Sequence, residues 1–276
     1  MSGSRAVAVR EVAARSVLNK SNIPGVDFAV NPYAGCAHAC VYCYARFMKR
    51  FTGHEEPWGD FVDVKVNAPQ LLQKRLASMR NPGGHVVIAS VTDAYQPLER
   101  KYELMPGILR ALAASPLDVT VLTKSDLVAR DVDVLRGMER CRVEFSLGGV
   151  DDGAAAVIEP GAASPTRRLA ALRELRENGV PTGVFISPIL PGLTDLRSIF
   201  REVHEYAAGV SAETLNVRAA DWPRLSAAFE KLPDGPARFR AFWKDARSPA
   251  YWDGVEREFN ELIREFGLPP GGFYRH

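Results

Sequence analysis

At 276 residues, 46% hydrophobic and 25% charged, the chain has ordinary globular composition and enough apolar mass for one enzyme-sized core. A net charge of +2, with Lys and Arg interleaved among Asp and Glu, argues against a dominating phosphate-tracking surface. It has no run of eighteen apolar residues and no signal-peptide pattern, so the expected setting is cytoplasmic, with no membrane partner.

Residues 1–25 carry no strong apolar period and read as an N-terminal arm or short helix. From 26 onward, apolar runs of strand length recur at 26–30, 85–91, 117–123, 141–147, 180–187 and 213–217. Stretches of helical period lie between them at 68–79, 103–114, 126–138, 165–178 and 195–208. Ser164 ahead of Pro165 marks a helix start, and Gly179 after Asn178 marks its end. This alternation predicts repeated βαβ units around a buried parallel sheet. The expected fold is α/β, a partial (β/α)6 TIM-like barrel over 26–217, flanked by the arm and by a C-terminal helical or capping extension at 218–276. FVDVKV at 61–66 is an extra strand candidate with no assigned place. Within the extension a helix is predicted at 253–266. Trp222, Trp243 and Trp252 read as core packing ahead of base stacking, and the basic lean of 218–247 reads as a solvated face.

Three of the four cysteines, Cys36, Cys40 and Cys43, fall in NPYAGCAHACVYCYAR with C-x3-C-x2-C spacing, on the loop after the first predicted barrel strand. In parallel barrels the reactive groups sit on loops at the C-terminal ends of the strands. Thiolates are soft ligands that select iron-sulfur clusters, zinc or Cu(I), so the cysteines alone leave the metal open. Structural zinc wants a fourth ligand; His38, His54 and Cys141 are the candidates, and none completes a familiar zinc spacing. Three thiolates on a four-iron cluster leave one iron without a protein ligand, open to a small molecule.

With this spacing on that loop of a (β/α)6 chain, the sequence resembles the radical S-adenosylmethionine (SAM) superfamily from about 26 to 217. More narrowly it resembles the spore photoproduct lyase-like branch. The narrower resemblance rests on Tyr42-Cys43-Tyr44, on SVTDAYQPLERKY at 90–102, on LTKSDLVARD at 122–131, and on EPGAASPTRRLAALRELRENGVPTGVFISPILPGLTD at 159–195. It implies an enzyme that holds a 4Fe-4S cluster on Cys36, Cys40 and Cys43 and binds S-adenosyl-L-methionine at the open iron. One electron then cleaves SAM to methionine and a 5′-deoxyadenosyl radical, which abstracts hydrogen from an unidentified substrate. The resemblance also implies an external one-electron donor of flavodoxin or ferredoxin type, because the chain has no flavin motif and no second cysteine cluster.

Within that frame, Tyr42 is placed to face the adenine and Tyr44 the substrate, as radical relays or as simple walls. Ser90, Thr92 and Asp93 close the second barrel strand where the amino acid moiety of SAM would sit, a turn or helix cap being the competing use. Lys124 and Ser125 end the third strand, and a lysine there suits the methionine carboxylate. Glu144 and Ser146, two apart on the fourth strand, share a face and can meet the SAM ribose or amino group. His38, between two of the cysteines, reads as a packing or solvent-facing residue ahead of one that approaches the cluster, and Arg168 as part of an exposed helix start ahead of a second cation for the methionine carboxylate.

One departure stands out. The branch uses a fourth cysteine near the end of the second barrel strand as hydrogen donor to the product radical, whereas IASVTD here carries Ala89 and Ser90 and no thiol. Cys141 begins the fourth strand at the opposite end and reads as buried packing. The resemblance therefore points to a relative with another substrate, whether small molecule, peptide or nucleic acid. The alternative from a different class is a non-enzymatic nucleic-acid or partner-binding protein with a structural metal knuckle at the cysteine loop.

Overall fold

The computed structural model describes residues 6–80, 83–269 and 271–276, so residues 1–5 of the expected arm lie outside the described residues. The chain enters through β1 (Ala8–Val12), β2 (Leu18–Lys20), β3 (Phe28–Val30) and β4 (Tyr33–Ala34). After a 3-10 segment at Tyr44–Phe51 it forms β5 (Phe61–Lys65). The repeat follows as α1 (Ala68–Ala77), β6 (His85–Ile88), α2 (Glu99–Tyr102), α3 (Leu104–Ala113) and β7 (Asp118–Thr123). A second 3-10 segment at Asp126–Asp131 runs into α4 (Val132–Leu135), followed by β8 (Cys141–Ser146), α5 (Asp152–Ile158), α6 (Pro165–Glu177), β9 (Thr182–Ile189), α7 (Leu196–Val203) and β10 (Val210–Thr214). Three helices, α8 (Trp222–Phe229), α9 (Gly235–Ala246) and α10 (Pro249–Glu265), lead to β11 (Phe273–Tyr274).

The main sheet has eight strands in the order β11-β10-β9-β8-β7-β6-β3-β2. Every neighbouring pair is parallel except β2 with β3. The edge strands β2 and β11 do not meet among the described residues, so the barrel is partial and open on one side. All six predicted barrel strands are present, as β3 and β6 to β10. One face of the sheet is apolar and closed: Val86, Ile88, Val119, Val121, Val143, Phe145, Val184 and Ile186 are at most 3% exposed. Burying each such side chain contributes about 1.5–3 kcal/mol, enough to fix the register. The other face is concave and more polar, with Leu122, Glu144 and Gly183 in one register row and Ser146, Phe185 and Ser211 in the next.

Local signals set α6 where the sequence places it. Ser164 accepts from the Arg167 N–H, Pro165 opens the helix, and Gly179 follows it at φ +79°. Elsewhere the tertiary structure overrides the local reading. Residues 6–25 hold strands rather than a helix. β1 pairs in parallel with β5, and β4 pairs antiparallel with its other side, which gives the unplaced 61–66 segment its position in a separate three-stranded sheet. β1 has mostly exposed side chains, so it shows no apolar period. The predicted helix at 126–138 is reduced to a 3-10 segment and one turn. Arg130 and Asp131 are drawn into a buried network in which Arg130 Nη2 bonds Glu99 at 2.8 Å and Tyr95 Oη bonds Asp131 at 2.9 Å. The helix predicted to reach 208 stops at Val203, because the Thr182 hydroxyl donates to the Tyr206 carbonyl at 2.7 Å and β10 begins at Val210 rather than at 213. α10 starts four residues before the predicted 253, capped by Ser248, which accepts from the Tyr251 N–H at 3.3 Å.

Candidate active site

The cysteine loop spans from Gly35 to Cys43, beyond the C-terminal end of β3 and directly after the short β4 rather than after the barrel strand itself, and is anchored from several directions. Ala37 N–H donates to Gln96 Oε1 at 2.8 Å, and the Thr92 hydroxyl donates to the Gly35 carbonyl at 2.6 Å. Val41 N–H reaches the Ile158 carbonyl at 2.9 Å, and Arg224 Nη2 holds the Ala39 carbonyl at 2.9 Å. Gly161 N–H donates to the His38 carbonyl, and a Cβ on Gly161 would lie 2.1 Å from the Ala37 carbonyl oxygen, so only glycine allows this approach. A loop with this many of its backbone groups paired keeps its side chains in one arrangement.

Cys36 and Cys40 are each 8% exposed and Cys43 is half-buried. Burial pushes the Cys40 thiol up to about 12, with Glu159 adding to the rise and Lys124 and Arg168 opposing it. Buried thiols of this kind give up their protons to a metal centre and not to water. Cys141 lies at the start of β8, at the other end of the sheet, and joins nothing here. His54 does not serve as a fourth ligand either: Nε2 engages Asp63 and Nδ1 engages Glu56, both at 2.9 Å. His38 is 2% exposed and turned inward, with Nδ1 3.5 Å from Asp93 Oδ2, so it is not solvent-facing.

Behind the loop sits a buried charged network that the sequence reading missed. The Tyr42 phenol donates to Glu159 Oε1, and Arg168 Nη2 bonds Glu159 Oε2. Arg168 also donates from Nε to the Ala163 carbonyl at 2.8 Å and from Nη1 to the Ser146 carbonyl at 3.0 Å. At 1% exposure it is no part of an exposed helix start, because its side chain turns inward to Glu159 and to the Ala163 and Ser146 carbonyls. Burial opposes ionisation of Glu159, but Arg168 and Lys124 outweigh it and hold the carboxyl below its usual range. Lys124 Nζ lies 5.8 Å from the centre of the Tyr42 ring.

The remaining predicted residues divide between turn-making and the open face. Asp93 is consumed by the fold, accepting from Thr123 Oγ1 at 2.8 Å, Tyr95 N–H at 2.8 Å and Lys124 N–H at 2.7 Å. Ser125 caps the 3-10 segment through the Leu127 N–H. Ser90 Oγ accepts from Asn31 Nδ2 at 3.2 Å, and the Tyr44 phenol donates to the Ser90 carbonyl. Glu144 pairs with Arg142 at 3.0 Å on the concave face, and Ser146 Oγ donates to the Ser187 carbonyl at 2.9 Å. Tyr44 is 43% exposed; desolvation around its hydroxyl and the charges of Cys43 and Glu213 push that phenol up. Glu213 accepts from Ser187 Oγ and faces His276 Nε2 at 3.3 Å, while Tyr274 meets the Phe185 ring edge-on at 6.2 Å. The structure thus brings together the cysteines, Tyr42, Lys124, Asp93 and Thr92, and sets Tyr44 toward the cleft.

A family model described as the radical SAM superfamily matches residues 30–202. The chain belongs to the radical SAM superfamily. It is 34% identical over 214 residues to an uncharacterised protein of Methanocaldococcus jannaschii, covering 78% of this chain and 80% of that one. It is 25% identical over 217 residues to the radical SAM Nalpha-GlyT isomerase of Pseudomonas phage M6, covering 76% and 44%. Spore photoproduct lyase complexed with dinucleoside spore photoproduct has the same fold, with a TM-score of 0.69 at 16% identity over 97% of this chain and 82% of that chain. No helix among the described residues is long and apolar enough to cross a membrane.

A radical SAM chain implies a 4Fe-4S cluster and SAM, and the residues present fit that pair. The donor set is three sulfurs, with Cys36 within electrostatic reach of both Cys40 and Cys43. Among the described residues no three His, Cys, Asp or Glu side chains converge tightly enough to hold a single ion. One zinc needs its sulfurs about 2.3 Å from a common point, whereas a cluster offers each cysteine its own iron.

Proposed function

We propose that this chain is a radical SAM enzyme in which Cys36, Cys40 and Cys43 hold a 4Fe-4S cluster whose open iron takes SAM. The observation that carries the reading is the anchored loop of three cysteines, two buried and one half-buried, at the C-terminal ends of parallel strands, with His54 committed elsewhere and Cys141 at the far end. When bound, the two groups supply reductive cleavage of SAM to a 5′-deoxyadenosyl radical able to take hydrogen from an unactivated carbon.

The residues around them position and shield. Lys124 offers a point charge for the SAM carboxylate, and Tyr42, its hydroxyl tied inward to Glu159, walls the cofactor and does not relay hydrogen. Glu144 and Ser146 lie on the concave face beside them. The substrate enters over that face, where Tyr44, Phe185, Tyr274 and the Glu213–His276 pair stand. An external flavodoxin- or ferredoxin-type donor supplies the electron.

Anaerobic reconstitution with iron and sulfide, followed by dithionite reduction with SAM, tests the reading by assay of 5′-deoxyadenosine beside a Cys40→Ala control. Production that vanishes in the control is the expected result. Tightly bound zinc with no cluster absorption would replace the enzyme by a metal-stabilised binding protein.

A further inference from the structure

Trp58 sits in the loop between the Tyr44–Phe51 segment and β5, and is 6% exposed. It packs in a small apolar cluster with Cys36, Ala45 and Phe61, against which Cys43 also rests. Its mount is rigid. The Phe61 ring meets it edge-on at 5.7 Å and 83°, and His54 stacks on Phe61 at 4.2 Å. Arg224 Nη1 holds the Trp58 carbonyl at 2.8 Å while its other nitrogen holds Ala39 in the cysteine loop. Gly59 next to it takes φ +106° with its α-carbon pressed against Ala39, where a Cβ would come within 2.6 Å of the Ala39 methyl.

For all this enclosure, Trp58 Nε1 is a buried donor that finds no partner at ordinary hydrogen-bond geometry in the polypeptide. A buried orphan N–H is costly and calls for an acceptor. The sulfurs that share its cluster are those of Cys36 and Cys43, and Cys43 is the one the indole reaches as a side-chain donor.

We propose that the Trp58 indole N–H donates to Cys43 Sγ when that sulfur ligates the cluster, and that this bond raises the cluster's reduction potential. The inference rests on the functional reading above. Adding one electron places negative charge on the cluster and its thiolates, so an N–H aimed at one of them stabilises the reduced form more than the oxidised form. Trp58 is thereby a positioning residue that acts through the Cys43 sulfur.

The test uses the full chain, reconstituted with iron and sulfide and carrying nitrogen-15 indole tryptophan, reduced and examined by electron–nuclear double resonance. A coupling to an indole nitrogen and to its exchangeable proton is expected in the wild type and absent in Trp58→Phe, which keeps the ring packing and assigns the signal among the four tryptophans. In the same variant the midpoint potential falls, about tenfold in the reduction equilibrium or about 59 mV for one electron. A reduced wild-type cluster with no indole coupling, or a variant with unchanged potential, overturns the proposal while leaving the enzyme reading intact. If the variant fails to hold a cluster, the wild-type spectrum decides by itself. If no cluster forms in the wild type, the functional reading falls and this inference with it.

Discussion

Arg168 and Tyr42 share one carboxylate: the guanidinium bonds one oxygen of Glu159 and the phenol the other, which fastens the residue beside the last cysteine of the motif to a buried ion pair from the β8–β9 crossover. Removing one partner strands the other charge away from water. Arg168→Met is expected to lower stability by about 3–5 kcal/mol, whereas the double change Arg168→Met with Glu159→Met recovers most of the loss. Chemical denaturation of the apoprotein measures both. A single-variant cost below about 1 kcal/mol would place the pair in contact with water.

The two tyrosines of the motif differ in the same terms. Tyr42→Phe orphans an oxygen of buried Glu159 and is expected to cost about 1–3 kcal/mol. Tyr44→Phe, at a half-exposed position, stays within about 0.5 kcal/mol of wild type. Thermal and urea unfolding rank them, and equal costs would contradict the inward orientation of the Tyr42 phenol.

Lys124 is the cation beside Tyr42, its ammonium 5.8 Å from the ring centre, and under the proposed function it meets the SAM carboxylate. Lys124→Met is expected to weaken SAM binding about tenfold or more, since a hydrogen bond to a charged group contributes about 1.5–3 kcal/mol. Anaerobic calorimetry on the reconstituted protein reads the change, with iron content unaltered. Unchanged affinity would remove Lys124 from the SAM site.

His276 reports on the open face. Its hydrogen bond to Glu213 raises its pKa above the usual 6.5, against the opposing effect of burial. A raised folded value means that the contact contributes fully below pH 6.5 and is lost as pH rises through the raised value. An NMR titration of the His276 ring is expected to show a midpoint above 6.5 that moves back toward it in Glu213→Gln. A wild-type midpoint already at the ordinary value would show that the pair does not form in solution.

Much of the architecture was legible because it is written in local terms. The six-strand rhythm is a repeated alternation of apolar period, and the α6 boundaries lie in adjacent residues, Ser164 with Pro165 and Asn178 with Gly179. The exceptions have one cause. Residues 8–12 become a strand because β5 offers them a parallel edge, and 126–138 fails to become a long helix because Arg130 and Asp131 bond Glu99 and Tyr95 across the fold.

The site divides in the same way. The sequence by itself determined the cysteine motif and its place, since Cys36, Cys40 and Cys43 are tied together by a spacing of a few residues after an apolar strand. Only the tertiary structure decided what surrounds them. Tyr42 meets Glu159 across 117 positions of chain, and Arg224 reaches Ala39 across 185, separations at which no spacing rule operates. Arg168 read as a surface residue because the first turn of a helix usually faces water, and Trp58 carried no motif at all. Packing and desolvation turn the one into a buried counterion and the other into a donor aimed at sulfur, and those terms exist only once distant segments have come together.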